Sequence, residues 1–552
     1  MEEQAFDFVI VGSGAAAIPA AIAIKERGLR PLVIEKTEFF GGSTSMSGGV
    51  VWIPNSSVAK AAGVVDDPRS ARIYFDACVG DVGPASSEAR RDAYLSTGPV
   101  LMDKLIAKGM EWVHAEGYSD YHEGQKPEGN PRSRSLVAPI FDLRKLGAWR
   151  NKLRRTVFPP MMMHEAGHAG QNGRTLASIA MMLRVGSRMI RNALGADLVG
   201  AGSAIQGRLL EIGLREGVPI WLGTVIDRWI VEDGRVTGLE VTIEGVRKRV
   251  KATRGVLINA GGFSHNAKLR SAEQRQPNNG SWSHANPGDT GEVIEAAIGL
   301  GAATALMEES WWVPASEMPG GALGMHPFDM TKPHCIMVDA TAQRFVNEST
   351  SYMAIGIAMY ERNKVVPAVP AWLIMDRQLM DKWRWSNVNG KPPKEWIDSG
   401  YMIEAESIEA LATQCGLDPK ALRATVDRFN GFADSGVDED FGRGGSAYDR
   451  WQGDYKLKPN PNVGRIEKGP FRAVRIVPGD VGTSGGLMTD ENGRVLRADG
   501  SAIPGLYATG NSTASVFGHS YPGAGASIGA SMIYGYRAAL HAAGANDMEG
   551  AA

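Results

Sequence analysis

The sequence predicts an α/β protein built on a Rossmann-like nucleotide-binding unit, and three observations carry that prediction. A strand, glycine-rich turn, helix and second strand open the chain between Phe6 and Glu35. An apolar strand running into glycines recurs at Gly255 to Gly262. The chain of 552 residues also exceeds one ordinary hydrophobic core, so two domains, or one domain with a large insertion, are expected.

The opening elements follow in order. Phe6 to Val11 is a short apolar strand, Gly12-Ser13-Gly14-Ala15-Ala16-Ala17 is the turn, and an Ala/Ile-rich helix ends near Gly28. Pro31 to Ile34 forms the next strand and closes on Glu35, 23 residues after Gly12. Gly12 permits the turn, Gly14 lets a pyrophosphate approach the backbone, and the helix start offers N–H donors to it. Glu35 is placed to accept from a ribose hydroxyl. Ala17 stands where a third glycine is usual, which weakens the fingerprint slightly.

Lys36 then leads into a second small-residue block, Gly41-Gly42-Ser43-Thr44-Ser45-Met46-Ser47-Gly48-Gly49, whose length suits a cofactor with a second ring system. Val218 to Val250, Val225 included among the expected cofactor contacts, reads as strands around an Asp233-Gly234 turn. Ala260-Gly261-Gly262 ends the later parallel strand at the cofactor's other side. The C-terminal stretch from Gly505 to Arg537 has a strand ending near Ala508, then Gly510-Asn511, a Tyr521-Pro522-Gly523-Ala524-Gly525 turn and a helix from about Ser527. Gly525, Ala526, Ser527 and Ile528 there present free donors and a positive dipole end.

Composition is globular and the net charge is −2, which argues against a nucleic-acid footprint. Three cysteines, Cys78, Cys335 and Cys415, have neither metal-ligand spacing nor a disulfide pattern, in keeping with a reducing cytoplasm. The acidic start MEEQAFDF enters a strand directly and reads as no signal peptide, and no uncharged apolar run reaches about 18 residues.

These blocks, with Gly117-Tyr118-Ser119-Asp120-Tyr121, Arg344-Phe345-Val346-Asn347-Glu348-Ser349 and Tyr352, resemble the fumarate reductase and succinate dehydrogenase flavoprotein superfamily. Within it the chain is similar to the 3-ketosteroid Δ1-dehydrogenase family over nearly its whole length. The resemblance implies an FAD domain built from both chain ends, residues 1–311 and 481–552, with an inserted α+β catalytic domain at 312–480. FAD would be held noncovalently, as no histidine occurs in the Gly41 to Gly49 block. The resemblance also implies roles. Tyr352 is the base for the C2 proton of a 3-ketosteroid while C1 gives hydride to the flavin, and Tyr121 assists it. Tyr521 and the Gly525 N–H hold the 3-keto oxygen. As base, Tyr352 needs surroundings that make it more acidic than a free tyrosine. An external electron acceptor such as a quinone is required to reoxidise the cofactor. Trp311, Trp312, Met318, Met325, Met353 and Met359 are the expected apolar lining. Ala524 replaces a more usual proline and His122 a familiar tyrosine. Alternatives are a ketosteroid dehydrogenase acting at C4–C5, a fumarate-reductase-like enzyme, and a silent flavin- or lipid-binding protein.

Residues 143–196 depart from a compact soluble pattern, with ten basic residues against one acid, Glu165. Trp149, Leu153, Val157, Phe158 and Met161 to Met163 are interleaved with them. Peripheral contact with the inner face of a membrane is weighed against a solvated insertion or an oligomer contact. The segment contains a formal HExxH, His164-Glu165-Ala166-Gly167-His168, but Pro159-Pro160 and Gly167 are poor helix formers, and no zinc site is expected.

Overall fold

The computed structural model describes residues 2–545. Its larger sheet has eight strands and a parallel spine in the order Ile220–Trp221, Pro31–Ile34, Glu2–Val11, Val246–Ile258, Ala502–Ala508. The spine strands read as near-continuous apolar runs because both faces are covered, one by the helices Ala17–Lys25, Ala201–Arg215 and Ala526–Ala542 and the other by Val236, Leu239 and Val241 with the helix Glu292–Gly299. Arg494–Leu496 closes one edge antiparallel. The strand Val246–Ile258 serves two partners in turn. Its first half pairs with a hairpin, Thr224–Glu232 and Arg235–Ile243, and its second half lies between the two chain ends.

The sheet therefore joins the termini at a single strand end. Gly12, at φ +97°, has no room for a side chain, since a Cβ would lie 2.2 Å from the Asn259 carbonyl oxygen. The opening helix is Ala17–Lys25, and the C-terminal helix Ala526–Ala542 packs against it through Gly535, whose Cβ would lie 2.5 Å from that of Ala16. Such small-residue contacts bring both helix starts to the same edge of the sheet.

A second, six-stranded antiparallel sheet has all its strands between Ser310 and Thr483. Phe471–Thr483 is its centre, pairing with Ser310–Glu317, Ala371–Met375 and Met402–Ala405. The helix Tyr352–Asn363 packs on Ser310–Glu317 so closely that a Cβ on Gly356 would lie 2.3 Å from Trp312 Cβ. Residues 546–552, the tail of the predicted C-terminal FAD part, lie outside the described residues.

Four buried charges fix the segment leading into that helix. Glu348 accepts from Arg344 at 2.9 Å and Arg443 at 3.0 Å, while Asp438 accepts from Arg344 at 2.9 Å. Burial works to raise the Glu348 pKa, but the two guanidinium groups hold it below the usual carboxylate value. Arg344 and Glu348 of this motif thus join Asp438 and Arg443 in an internal ion cluster, with Glu348 four residues ahead of Tyr352.

The basic segment is less cationic than its composition suggests. Arg150 and Arg155 pair with Asp197, Arg144 with Asp142, Arg174 with Asp454, and Arg184 and Arg188 with Glu165. Its predicted apolar face also turns inward: Leu153, Met161 and Met163 are buried, and Val157 alone of the seven is exposed. The exposed apolar residues belong instead to the helix Leu176–Ala193, where Leu176, Leu183, Met189 and Ile190 face outward. In the HExxH stretch, Met163–Glu165 is a tight turn and only Ala166–Ala169 is helical, with Glu165 engaged by Arg188 and the Met162 N–H.

Glu348→Gln should destabilise the protein by about 3 to 5 kcal/mol, because it removes a carboxylate from between two buried guanidinium groups. Chemical denaturation measures this, and a loss below about 1 kcal/mol would mean that the cluster does not anchor the fold.

Candidate active site

One cavity of about 450 Å³ runs along the strand ends where the two termini meet. On one side it is walled by Gly12, Ser13, Gly14, Ala15, Glu35 and Lys36, and farther along by Gly42, Ser43, Thr44, Ser47, Gly48 and Gly49. Val225, Ala260, Gly261, Gly510 and Asn511 complete that part, and Gly525, Ser527 and Ile528 reach it from the C-terminal helix. Ala16, Gly41, Gly262 and Ala526, also predicted at the cofactor, lie outside the wall. Gly262 backs onto Thr483, where a Cβ would sit 2.0 Å from Oγ1.

The donor set of this wall suits an anionic, polyfunctional cofactor. Neither the helix Ala17–Lys25 nor the helix Ala526–Ala542 has a side-chain cap or an acid in its first turn, so both leave N–H donors and a positive end at the cavity. Glu35 already accepts from Ser13 N and Oγ at 3.1 and 2.7 Å and from Thr37 N and Oγ1 at 2.9 and 3.0 Å. A ribose hydroxyl would share an acceptor that also braces the glycine turn. Lys36 is engaged by Glu292 and Thr290.

Asp289 is a residue that motif reading missed. It accepts from Ser43 Oγ at 3.0 Å, and burial pushes its carboxyl up to about 7. Gly261 is required beside it, since a Cβ there would lie 2.4 Å from Oδ1. No local pattern points from Gly261 to Asp289, because the contact arises only when the chain folds.

Tyrosines gather at the cavity's apolar end. Tyr121 donates to the Tyr352 hydroxyl at 3.4 Å, and the Tyr118 and Tyr121 hydroxyls are 3.2 Å apart. The rings of Tyr121, Tyr352 and Tyr521 are mutually packed, with centroids 5.5 to 5.7 Å apart. The loop carrying Tyr121 is fastened to the Tyr521 turn by a bond from Tyr121 N–H to the Pro522 carbonyl at 3.0 Å. Asp120, buried between Trp52 Nε1 and Arg134, braces that loop. Tyr352 is the first residue of its helix, with Ser351 as N-cap.

Tyr521 lies 3.0 Å from Ser527 Oγ, and burial pushes its pKa up while contacts from Ser527, Tyr352 and the Gly525 N–H oppose the shift. Gly525 adopts φ +83° with no room for a side chain, as a Cβ would lie 1.9 Å from the Val50 carbonyl oxygen. Its N–H donates to no backbone carbonyl among the described residues and lies close enough to the Tyr521 hydroxyl to oppose the rise in that group's pKa. Tyr521 and Gly525 thus stand side by side in the cavity wall.

Burial pushes the Tyr352 hydroxyl well above the ordinary tyrosine value, with neighbouring tyrosines adding to the rise and the Tyr121 hydrogen bond opposing it. The acidic tyrosine expected from the sequence is not what these surroundings produce. No cation is among the groups acting on it.

The lining also differs from expectation. Trp311 and Met325 face the cavity, joined by Val313, Pro327 and Phe328. Trp312, Met353 and Met359 are core residues, Trp312 donating to Glu309 at 2.9 Å, and Met318 packs against a separate core cluster. His122, in place of the familiar tyrosine, is neutral because burial lowers its pKa to about 4.

A family model described as FAD binding domain matches residues 7–528. The chain is 41% identical over 566 residues to the 3-oxosteroid 1-dehydrogenase of Mycolicibacterium smegmatis, covering 98% of this chain and 97% of that one. It is 32% identical to a 4-oxocyclohexanecarboxylate 2-dehydrogenase from Sinomonas cyclohexanicum, over 98% of this chain and 93% of that protein. Among solved structures, the 3-ketosteroid Δ1-dehydrogenase of Sterolibacterium denitrificans, in complex with 1,4-androstadiene-3,17-dione, superposes with a TM-score of 0.91 at 35% identity, covering 98% of this chain and all of that one.

Gly525→Ala should lower the flavin content of purified protein by at least about tenfold, because the new methyl forces the helix start away from Val50 in addition to the ordinary left-handed penalty of about 1 to 2 kcal/mol. The ratio of flavin to protein absorbance reads this. A fully loaded variant would mean that the turn is not needed to hold the cofactor.

Proposed function

The chain belongs to the FAD-binding-domain family and, within it, to the 3-oxosteroid 1-dehydrogenases; from that premise we propose that this FAD-dependent CH–CH oxidoreductase introduces a C1–C2 double bond into 3-ketosteroids. The observation that carries the reading is the nearness of the Tyr521 hydroxyl and the Gly525 N–H to each other, beside the Tyr121–Tyr352 pair in one cavity wall. Removing a proton next to a ketone needs a base and donors for the developing enolate, and this end of the cavity offers both.

In this reading Tyr521 and Gly525 hold the 3-keto oxygen, each donor contributing about 2 to 4 kcal/mol of transition-state stabilisation. Tyr352 takes the C2 proton. Its ionised form has one stabilising neighbour, the Tyr121 hydroxyl, so Tyr121 and Tyr118 share the charge along a line of phenols. When bound, FAD supplies the acceptor for the hydride that leaves C1. Ser13, Gly14, Glu35, Ser43 and the C-terminal helix start are the residues proposed to hold it. It is held noncovalently, the one histidine of the cavity wall, His284, being engaged with the Leu323 carbonyl at 2.6 Å. Trp311, Val313, Met325, Pro327 and Phe328 exclude water and favour a flat hydrocarbon.

A dicarboxylate substrate fits poorly. The cations of the cavity wall are Lys36 and Arg155, paired with Glu292 and Asp197, and Arg344 is buried in its own ion cluster. Reaction at C4–C5 would use the same donors with the steroid shifted, and product analysis separates the two. Turnover also needs an external acceptor of the quinone class.

The second part of the proposal concerns location. The exposed face of Leu176–Ala193 carries Leu176, Leu183, Met189 and Ile190, while Lys145, Lys152, Arg154 and Arg191 have no carboxylate partner among the described residues. An apolar stripe with unpaired cations near it, Arg191 on the same helix and Lys145 across a shared hollow, matches an anionic lipid surface. No helix among the described residues is long and apolar enough to cross a membrane.

Tyr352→Phe should retain FAD and lose turnover by at least about a thousandfold, and in the parent enzyme kcat/KM should climb as pH rises, because a pKa raised by burial leaves little tyrosinate at neutral pH. Tyr121→Phe should move that climb to higher pH. A pH-independent rate between about pH 7 and 10 would remove Tyr352 as the base. For the membrane face, Leu183→Asp with Ile190→Asp should release the protein from phosphatidylglycerol vesicles in low salt. Equal sedimentation of parent and variant, or no sedimentation of the parent, would refute the surface.

A further inference from the structure

A second cavity, of about 420 Å³, shares no wall residue with the first. Its wall carries Lys145, Arg188, Arg191 and Arg208 against one acid, Asp142. Asp142 does not neutralise them, because Arg144 grips both of its oxygens at 2.6 to 3.0 Å. Arg188 is partly balanced by Glu165 and Arg208 by Glu111. Lys145 and Arg191 meet no carboxylate among the described residues, so the cavity keeps a local surplus of positive charge.

Arg208 marks this as a built site. Its side chain is 6% exposed, it donates to the Ile140 carbonyl at 3.2 Å, and its Nε has no hydrogen-bond partner. A buried guanidinium with an unused donor is costly unless something accepts from it. Phe141, over whose ring both Arg208 and Lys145 lie, and Met162 supply an apolar side to the same space. Planar guanidinium groups and an ammonium converging in a hollow match the oxygens of a phosphate.

We propose that this cavity binds a phosphate group, carried by a lipid headgroup or by a soluble phosphate ester. Arg188 and Arg191 project from the helix Leu176–Ala193, so a lipid source rests on the membrane reading given above, while the cavity's preference for phosphate does not. A headgroup seated there would fix the orientation of the helix on the bilayer.

The test titrates the FAD-loaded enzyme with inorganic phosphate and with glycerol 1-phosphate by calorimetry, against chloride at the same ionic strength, and sediments it with phosphatidylglycerol or phosphatidylcholine vesicles. Lys145→Gln with Arg191→Gln changes two exposed side chains and should leave steroid turnover unchanged. It should weaken phosphate and glycerol 1-phosphate binding by at least about tenfold, and Lys145→Arg with Arg191→Lys should restore it. Phosphate binding without vesicle binding supports the cavity with a soluble ester as its ligand and removes the membrane reading. Vesicle binding equal in parent and double variant, with no heat from either phosphate, overturns the cavity and leaves the membrane reading standing. Equal phosphate affinity in parent and double variant also overturns it.

Discussion

A phenol enclosed by other phenols cannot ionise cheaply, and the arrangement of this site follows from that constraint. Each unit by which burial raises a pKa corresponds to about 1.4 kcal/mol against the charged form. Among the described residues no cation figures in the main influences on Tyr352, and the contact that offsets the cost is the Tyr121 hydroxyl, itself bonded to Tyr118. A base of this kind works only if the proton it takes is already weakly held. In the proposed mechanism the donors at Tyr521 and Gly525 serve that end, by lowering the energy of the enolate that the ketone would become.

Two distant parts of the chain must agree for this to hold. Tyr352 comes from the part of the chain that builds the second sheet, at the end of a segment clamped by Arg344, Glu348 and Arg443. Tyr121 and Tyr521 come from the first, joined through the Pro522 carbonyl. The left-handed Gly525 then sets the helix start, so the same turn borders both the tyrosine end of the cavity and the wall proposed to hold the cofactor. Local backbone freedom at one glycine thereby couples the fold of both chain ends to the chemistry.

Much of this was legible because it is local. The glycine turn after Phe6 to Val11, the strand Pro31–Ile34 and the helix after Gly525 follow from short-range pattern, and the structure has them within a few residues of expectation. The resemblance of separated motifs pointed to FAD and to the three tyrosines. What escaped was decided by long-range packing. Trp312, Met353 and Met359 lie near lining residues in the chain but turn into the core, since a periodic pattern gives an apolar face without saying which partner covers it. Asp289 reaches Ser43 across 246 residues, and Arg144, Arg150, Arg155 and Arg174 of the basic segment find carboxylates that lie at its borders or far away in sequence. The raised pKa of Tyr352 belongs to the same class, for desolvation is a property of the assembled cavity.

The most direct measurement uses 4-androstene-3,17-dione deuterated at C2, mixed anaerobically with the FAD-loaded enzyme while flavin absorbance is followed and the steroid is weighed by mass spectrometry. The account predicts slower bleaching than with the unlabelled steroid, and a 1,2-unsaturated product that has lost one C2 deuterium. Equal rates with the C2 label fully retained would contradict proton removal at C2, and with it the role given to the tyrosines.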